Sequence, residues 1–298
     1  MSVRSRSLSG PEEAAEATAR PAARAAPSGG ATPARRLPVD PLGVLGLVVV
    51  IAAWWVVSAV GVLPTVMLPP PDAVAATIYE NFFSSAYLAD YHVGSGGFAA
   101  SLVYTASNVL LGVAISCVLG ITLGLVSMRL QLVRAVVNPV LLTAGTIPIL
   151  VTAPFFLIWF GTGRAGQVVL VVIYATVIVY LFSQRGVENL DPVYEAVART
   201  QGTTPVRTLF DVLLRGTLPQ ILGGIRIALA GAWGLEALAE LLGAPNGIGR
   251  VIQGLSGSTD TPTIMAAIGV LAIAAVGLDA IVAAAFGYVT RWQPAQRI

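Results

Sequence analysis

A charge-dense stretch set between two long apolar runs limits what this chain can fold into. Gln184 to Pro219 holds Arg185, Glu188, Asp191, Glu195, Arg199, Arg207, Asp211 and Arg215, eight of the chain's 32 charges. A segment this polar cannot lie in hydrocarbon, where each charge at the bilayer centre costs about 2.5–3.5 kcal/mol. It still carries helix signals. Glu195 to Gln201 is predicted as a short helix opened by Asp191-Pro192 and ended at Gly202. Leu209, Val212, Leu213 and Leu214 then begin a second apolar stripe. A structured loop of this kind is predicted to be a docking surface, at which the chain receives force from another protein.

The rest of the sequence explains why that loop stands out. Only 11% of residues are charged, 56% are hydrophobic and the mean hydropathy is +0.81, a balance that belongs to membrane proteins. Six apolar runs are each long enough to cross a hydrocarbon core of about 30 Å: residues 42–63, 98–126, 136–160, 166–183, 221–243 and 263–289. The third contains Pro139, Pro148 and Pro154, breaks that favour a cavity-lining span, since the freed backbone groups need protein or water. Gly112, Gly120 and Gly124 in the second run are predicted to allow close helix approach. Pro69, Pro70 and Pro71 forbid a helix across them, and Asp72 is expected to cap an amphipathic helix lying along the membrane surface. Met128 to Arg134 reads as a short polar turn.

Six crossings put both termini on one side. All 17 basic residues are Arg, and fifteen fall on one face of this topology, leaving only Arg164 and Arg250 on the other. The positive-inside rule makes the fifteen cytoplasmic, and with them the 184–219 loop. The basic balance therefore follows membrane topology and does not point to nucleic acid. Residues 1–40, rich in Ala, Pro, Ser and Arg, are expected to form a disordered tail with no removable signal peptide. Residues 41–290 are expected to form the membrane domain and 291–298 a second short tail. The single Cys117 excludes an intrachain disulfide, and the lone His92 reads as a solvated residue outside the spans. No catalytic triad or metal cluster can be assembled from these residue types, so the chain is not expected to be an enzyme.

The chain resembles the transmembrane permease subunit of bacterial binding-protein-dependent ABC importers, in the branch that handles nitrate, sulfonates and taurine. The likeness spans about residues 63–290. It rests on Leu68 to Pro71, on Phe155-Phe156-Leu157-Ile158-Trp159-Phe160-Gly161, and on Asp191-Pro192, Ala198-Arg199, Gly202 and Leu218-Pro219 at the spacing of the family's EAA loop. Trp233, Ala239-Glu240 and Gly247-Ile248-Gly249 extend it through the fifth span and the following loop. The resemblance implies an all-α integral membrane protein with six transmembrane helices, the MetI-like fold of type I importers, and a cytoplasmic coupling loop. It also implies two ATPase subunits that hold ATP and Mg, a second permease as homodimer or heterodimer, an extracytoplasmic substrate-binding protein, and alternating access driven by the ATPases. The chain has no G-x-x-x-x-G-K-[ST] with which to cradle phosphates, so the nucleotide must sit on a partner. There are departures from the family pattern. Ala196 stands where the EAA glutamate is usual, with Glu195 one residue early, and Val197 stands for the motif's first alanine. Arg215, Asn108 and Gly145-Thr146 also differ from the common residues.

Two groups of residues follow as candidates. Glu195, Ala196, Ala198, Arg199, Gly202, Thr203, Leu218 and Pro219 are the expected ATPase-coupling set. Glu236, Glu240, Trp159 and Trp233 are candidates for the pathway or gate. Glu236 and Glu240 lie four apart, on one helix face, where ionisable groups are costly. A structural role is favoured for Glu240; for Glu236 a packing hydrogen bond, a gate contact and a proton-sensitive switch all fit. The five tryptophans read by default as an interfacial belt. Asp279 has Arg226 as a conceivable partner. The alternative to an importer subunit is a stand-alone secondary transporter or channel, for which the two halves show no internal similarity.

Overall fold

The computed structural model describes residues 41–90, 96–258 and 260–291. The two expected tails, His92 and Trp292 fall wholly or largely outside them. Every element among the described residues is helical. The order is α1 Pro41–Ala59, α2 Pro71–Asn81, α3 Ala86–Asp90, α4 Phe98–Arg129, α5 Gln131–Thr146 and α6 Ile149–Phe160. It continues with α7 Arg164–Glu188, α8 Pro192–Thr200, the turn α9 Pro205–Arg207, α10 Arg215–Leu241, α11 Ile248–Leu255 and α12 Thr261–Val289. Between α9 and α10, Thr208–Leu214 winds as a wider π-helix, so that 205–241 forms one apolar rod of 37 residues.

Side-chain pairs fix the relative directions. Asn108 meets Gln167 and Ser127 meets Gln184, so α4 and α7 run parallel. Thr105 meets Glu240 and Asn108 meets Glu236, which makes α10 antiparallel to both. Arg226 and Asp279 pair through 3.0 and 2.6 Å contacts and join α12 to α10, the partnership that the sequence made conceivable. Because α4 and α7 are parallel, α5 and α6 together must carry the chain back from the end of one to the start of the other.

That return is not the single proline-dented span expected over 136–160. The chain turns by 108° between α5 and α6. Pro139 and Pro154 stay inside their helices, while Pro148 is extended (φ −63°, ψ 102°) and precedes α6. A proline disfavours helical backbone in the residue before it, and Ile147 is accordingly extended. Only one of the three prolines therefore breaks the path. The polar turn expected over 128–134 shrinks to a break at Leu130, since α4 runs on to Arg129 and α5 starts at Gln131. Asp72 is a further correction. It lies in the first turn of α2, Pro70 occupies the N-cap position, and no side chain caps that end. α2 packs against α12, with Val74 beside Ala266, Ala267 and Val270.

The central seam is α4 on α7. A Cβ added to Gly112, Gly120 or Gly124 would come within 2.5–2.7 Å of Val171, Val179 or Ser183 on α7. Small residues let the backbones close where no hydrophobic effect drives helices together. Val109, Val113, Val171, Ala175, Ala228 and Trp233 fill the core where α10 joins. Many large apolar side chains point outward, including Ile158, Ile273 and Val276, as hydrocarbon surroundings allow.

Candidate functional site

The charged stretch folds into an elbow. Asp191 caps α8 by accepting from the Val193 amide at 2.9 Å, and Pro192 occupies the first turn, as the sequence predicted. Gly202 ends the elbow's first limb with φ +69°, a left-handed conformation that glycine adopts without a Cβ penalty. Thr203 Oγ1 donates to the Ala198 carbonyl at 2.8 Å and lies 3.0 Å from Thr208 Oγ1, which folds the second limb back on the first. The loop is shorter than the expected 184–219, because α7 continues to Glu188 and α10 is already helical at Arg215.

The candidate coupling residues divide accordingly. Ala198 is buried against the elbow, whereas Ala196, Arg199 and Gly202 are exposed. Leu218 and Pro219 lie inside α10, beyond the elbow. Sequence reasoning passed over the side chains that present the widest apolar face: Val193, Tyr194 and Val197 are 61, 60 and 47% exposed, although α8 lies outside the spans. They border an open groove of about 960 Å³ whose far wall comes from Asp211, Val212 and Arg215. Glu195 is only a quarter exposed and turns the other way, toward Arg129 at the end of α4. Arg199 and Arg129 together hold its carboxyl below the usual range.

At the opposite end of α4 lies a closed polar knot. Glu236 and Glu240 are fully buried. Thr105 Oγ1 donates to Glu240 Oε1 at 2.7 Å, and the Gly249 amide donates to Oε2 at 2.8 Å. Thr105 Oγ1 also accepts from the Ile248 amide at 3.1 Å. The Glu240 carboxyl group thus meets the open amides at the start of α11, which have no partner within the helix. The two glycines beside Ile248 make this approach fit: a Cβ at Gly247 would fall 2.1 Å from the Glu240 carboxyl, and one at Gly249 would fall 2.2 Å from the Ala237 carbonyl. The Glu240 carboxyl ties α10 to α4 and to the start of α11.

Glu236 sits one turn further in. Asn108 Nδ2 donates to its Oε1 at 2.7 Å and to Gln167 Oε1 at 2.8 Å, and Gln167 Nε2 donates to the Thr162 carbonyl at 2.8 Å. The string joins α10, α4, α7 and the turn before α7. Of the three readings open for Glu236, this geometry supplies the packing hydrogen bond. Thr105, Asn108 and Gln167 were not predicted as members of this polar knot. Their signal was present, since Thr105 and Asn108 are polar residues three apart inside an otherwise apolar run. The two candidate tryptophans are not brought together. Trp159 is 73% exposed on α6 beside Phe156, while Trp233 is 4% exposed in the α4–α7–α10 core. The belt expected of all five therefore fails at Trp233, because its position on α10 faces neighbouring helices and not an interface.

The arrangement defines a class: a many-pass helical membrane protein, closed at one end by a buried polar knot and carrying at the other an exposed elbow with an apolar grip. Residues 116–293 match the family described as the binding-protein-dependent transport system inner membrane component, and the chain belongs to that family. It is the permease type of subunit in ABC importers. The taurine transport system permease protein of Escherichia coli (strain K12) is 28% identical over 237 residues, covering 78% of this chain and 82% of the relative. A permease protein assigned to aliphatic sulfonates in Bacillus subtilis (strain 168) is 30% identical over 235 residues, covering 79% and 80%. Among solved structures, an amino acid ABC transporter with histidines matches with a TM-score of 0.53 at 17% identity, covering 66% of this chain and 94% of that one. An inward-facing MetNI methionine transporter matches with a TM-score of 0.50 at 20% identity, covering 63% and 92%. These two likenesses establish the MetI-like fold.

Proposed function

We propose that this permease works as one of two membrane subunits, with two ATPase subunits docked on α8 and a substrate-binding protein delivering cargo from the opposite face. ATP and Mg sit on the ATPases, and this chain hydrolyses nothing itself. The elbow and both termini face the cytoplasm, in the inner membrane of a bacterium. The cargo is a small anion such as taurine, an alkyl sulfonate or nitrate; the first two relatives support taurine and the alkyl sulfonates. The observation that carries the mechanical part is the exposed Val193, Tyr194 and Val197 on a helix outside the spans. An amphipathic helix that leaves its apolar face open in water fits a groove on another protein. Closure of the ATPases would then push α8 and tilt the helices attached to it.

The test is transport in liposomes by the chain with its ATPase and binding protein, offered taurine, alkyl sulfonates and nitrate in turn. Uptake that needs all three components and ATP is expected. Gradient-driven flux through the chain alone would overturn the assignment of an ATP-driven partner, and uptake of none of the three anions would overturn the cargo class.

A further inference from the structure

Glu195 is the only acidic residue within α8, and its Oε1 serves two guanidinium groups. Arg199, one turn along the same helix, lies 3.0 Å away but is 73% exposed, so water screens most of that attraction. Arg129 comes from the last residue of α4, 66 positions distant in sequence, and its side chain and that of Glu195 are 26 and 27% exposed. Arg129 Nε and Nη2 are enclosed and have no partner. Glu195 therefore supplies the compensation for a charge that is partly removed from water.

The covalent links of α8 to the membrane helices are softer. On one side, Asn189 and Leu190 form a turn after α7. On the other lie Gly202, the short turn α9 and the π-helical segment 208–214, an irregularity frequent at functional sites. α4, by contrast, is held to α7 by the glycine seam along its length.

We propose that Arg129 is a positioning residue that clamps α8 to the end of α4 through Glu195, so that displacement of α8 passes directly into α4 and across the glycine seam into α7. The proposal rests on α8 being the docking element described above. It also gives Glu195 a task within its own chain and leaves the partner to read α8 through Val193, Tyr194 and Val197.

Two readouts test it. In the chain alone, Arg129→Gln is expected to speed amide hydrogen exchange over residues 192–200 by about tenfold, the core of α4 and α7 remaining protected. In the assembled transporter, the same variant retains its ATPase in pull-down but imports about tenfold less cargo per ATP hydrolysed, a typical size for lost coupling. Exchanging the charges, Arg129→Glu with Glu195→Arg, is expected to bring both readouts to within about threefold of the parent. Unchanged exchange over α8 in Arg129→Gln would overturn the clamp. So would release of the ATPase by Arg129→Gln without recovery in the exchanged pair, which would make Arg129 an ATPase contact. If the parent chain captures no ATPase, the docking reading falls, and the exchange measurement alone decides the clamp.

Discussion

Two glutamates hold α4 from opposite ends, and they do so by different physics. Glu240 grips the Thr105 end inside a knot without solvent, where both its oxygens accept from a hydroxyl or a backbone amide. Glu195 grips the Arg129 end, 24 residues and about 36 Å away, through an ion pair that water can reach. A buried carboxylate that loses one donor leaves a full desolvation cost behind, so the first end has one arrangement. An ion pair at the edge of solvent is worth less than a closed network, so the second end is held more weakly, yet it still joins α8 to α4 so that the two move together. The contrast separates a part that holds the bundle together from a part that is pushed.

The sharpest way to break the comparison is to remove the buried grip. Glu240→Ala strands the Gly249 amide, takes one acceptor from the Thr105 hydroxyl and opens a cavity, and should cost about 3–4 kcal/mol, read as loss of folded protein in detergent or a large fall in thermal midpoint. A smaller effect is expected at the elbow. Val197→Asp places a charge on the apolar grip and should weaken ATPase capture by about tenfold or more, with the thermal midpoint of the chain unchanged. A normal pull-down would show that the grip lies elsewhere. Gly202→Ala should cost about 1 kcal/mol, because the strain lies in the left-handed backbone while the space for a Cβ is open. Spin-label mobility at position 196 would report the loosened helix.

Acid separates the ends further. The folded Glu195 carboxyl is held below its ordinary value of 4.5, so its contribution is fully present above that value and is lost as pH falls through the folded one. Mobility of α8 should therefore be flat from neutral pH to about 4.5 and rise only below it. A rise beginning near pH 6 would mean that Arg199 and Arg129 do not hold it. The smallest effect is expected of Glu236→Gln. The substitution can keep an acceptor toward Asn108 Nδ2 and alters no open surface, so transport should stay within about twofold at every pH. A strong loss, or a new pH dependence, would show that Glu236 acts in gating.

The apolar runs, the two limbs of the elbow, the Asp191 cap, the Gly202 stop and the glycine approach of α4 were all legible in the residues, because each is set by neighbours a few positions away. Backbone preferences and hydrocarbon's intolerance of charge act locally, and a reader of the chain has the same information that the chain has. The 108° bend was not legible. Pro139, Pro148 and Pro154 each disturb a helix alike in sequence, and contacts with α4, α7 and α10 decided that only the middle one turns the path. Nor could the partners of Glu195, Glu236 and Glu240 be read. Apart from Arg199 and the Gly249 amide, each lies 66 to 135 positions away on another helix. Burial favours a partner for a polar group, but which partner depends on which helices are parallel, and that is decided only when the bundle closes.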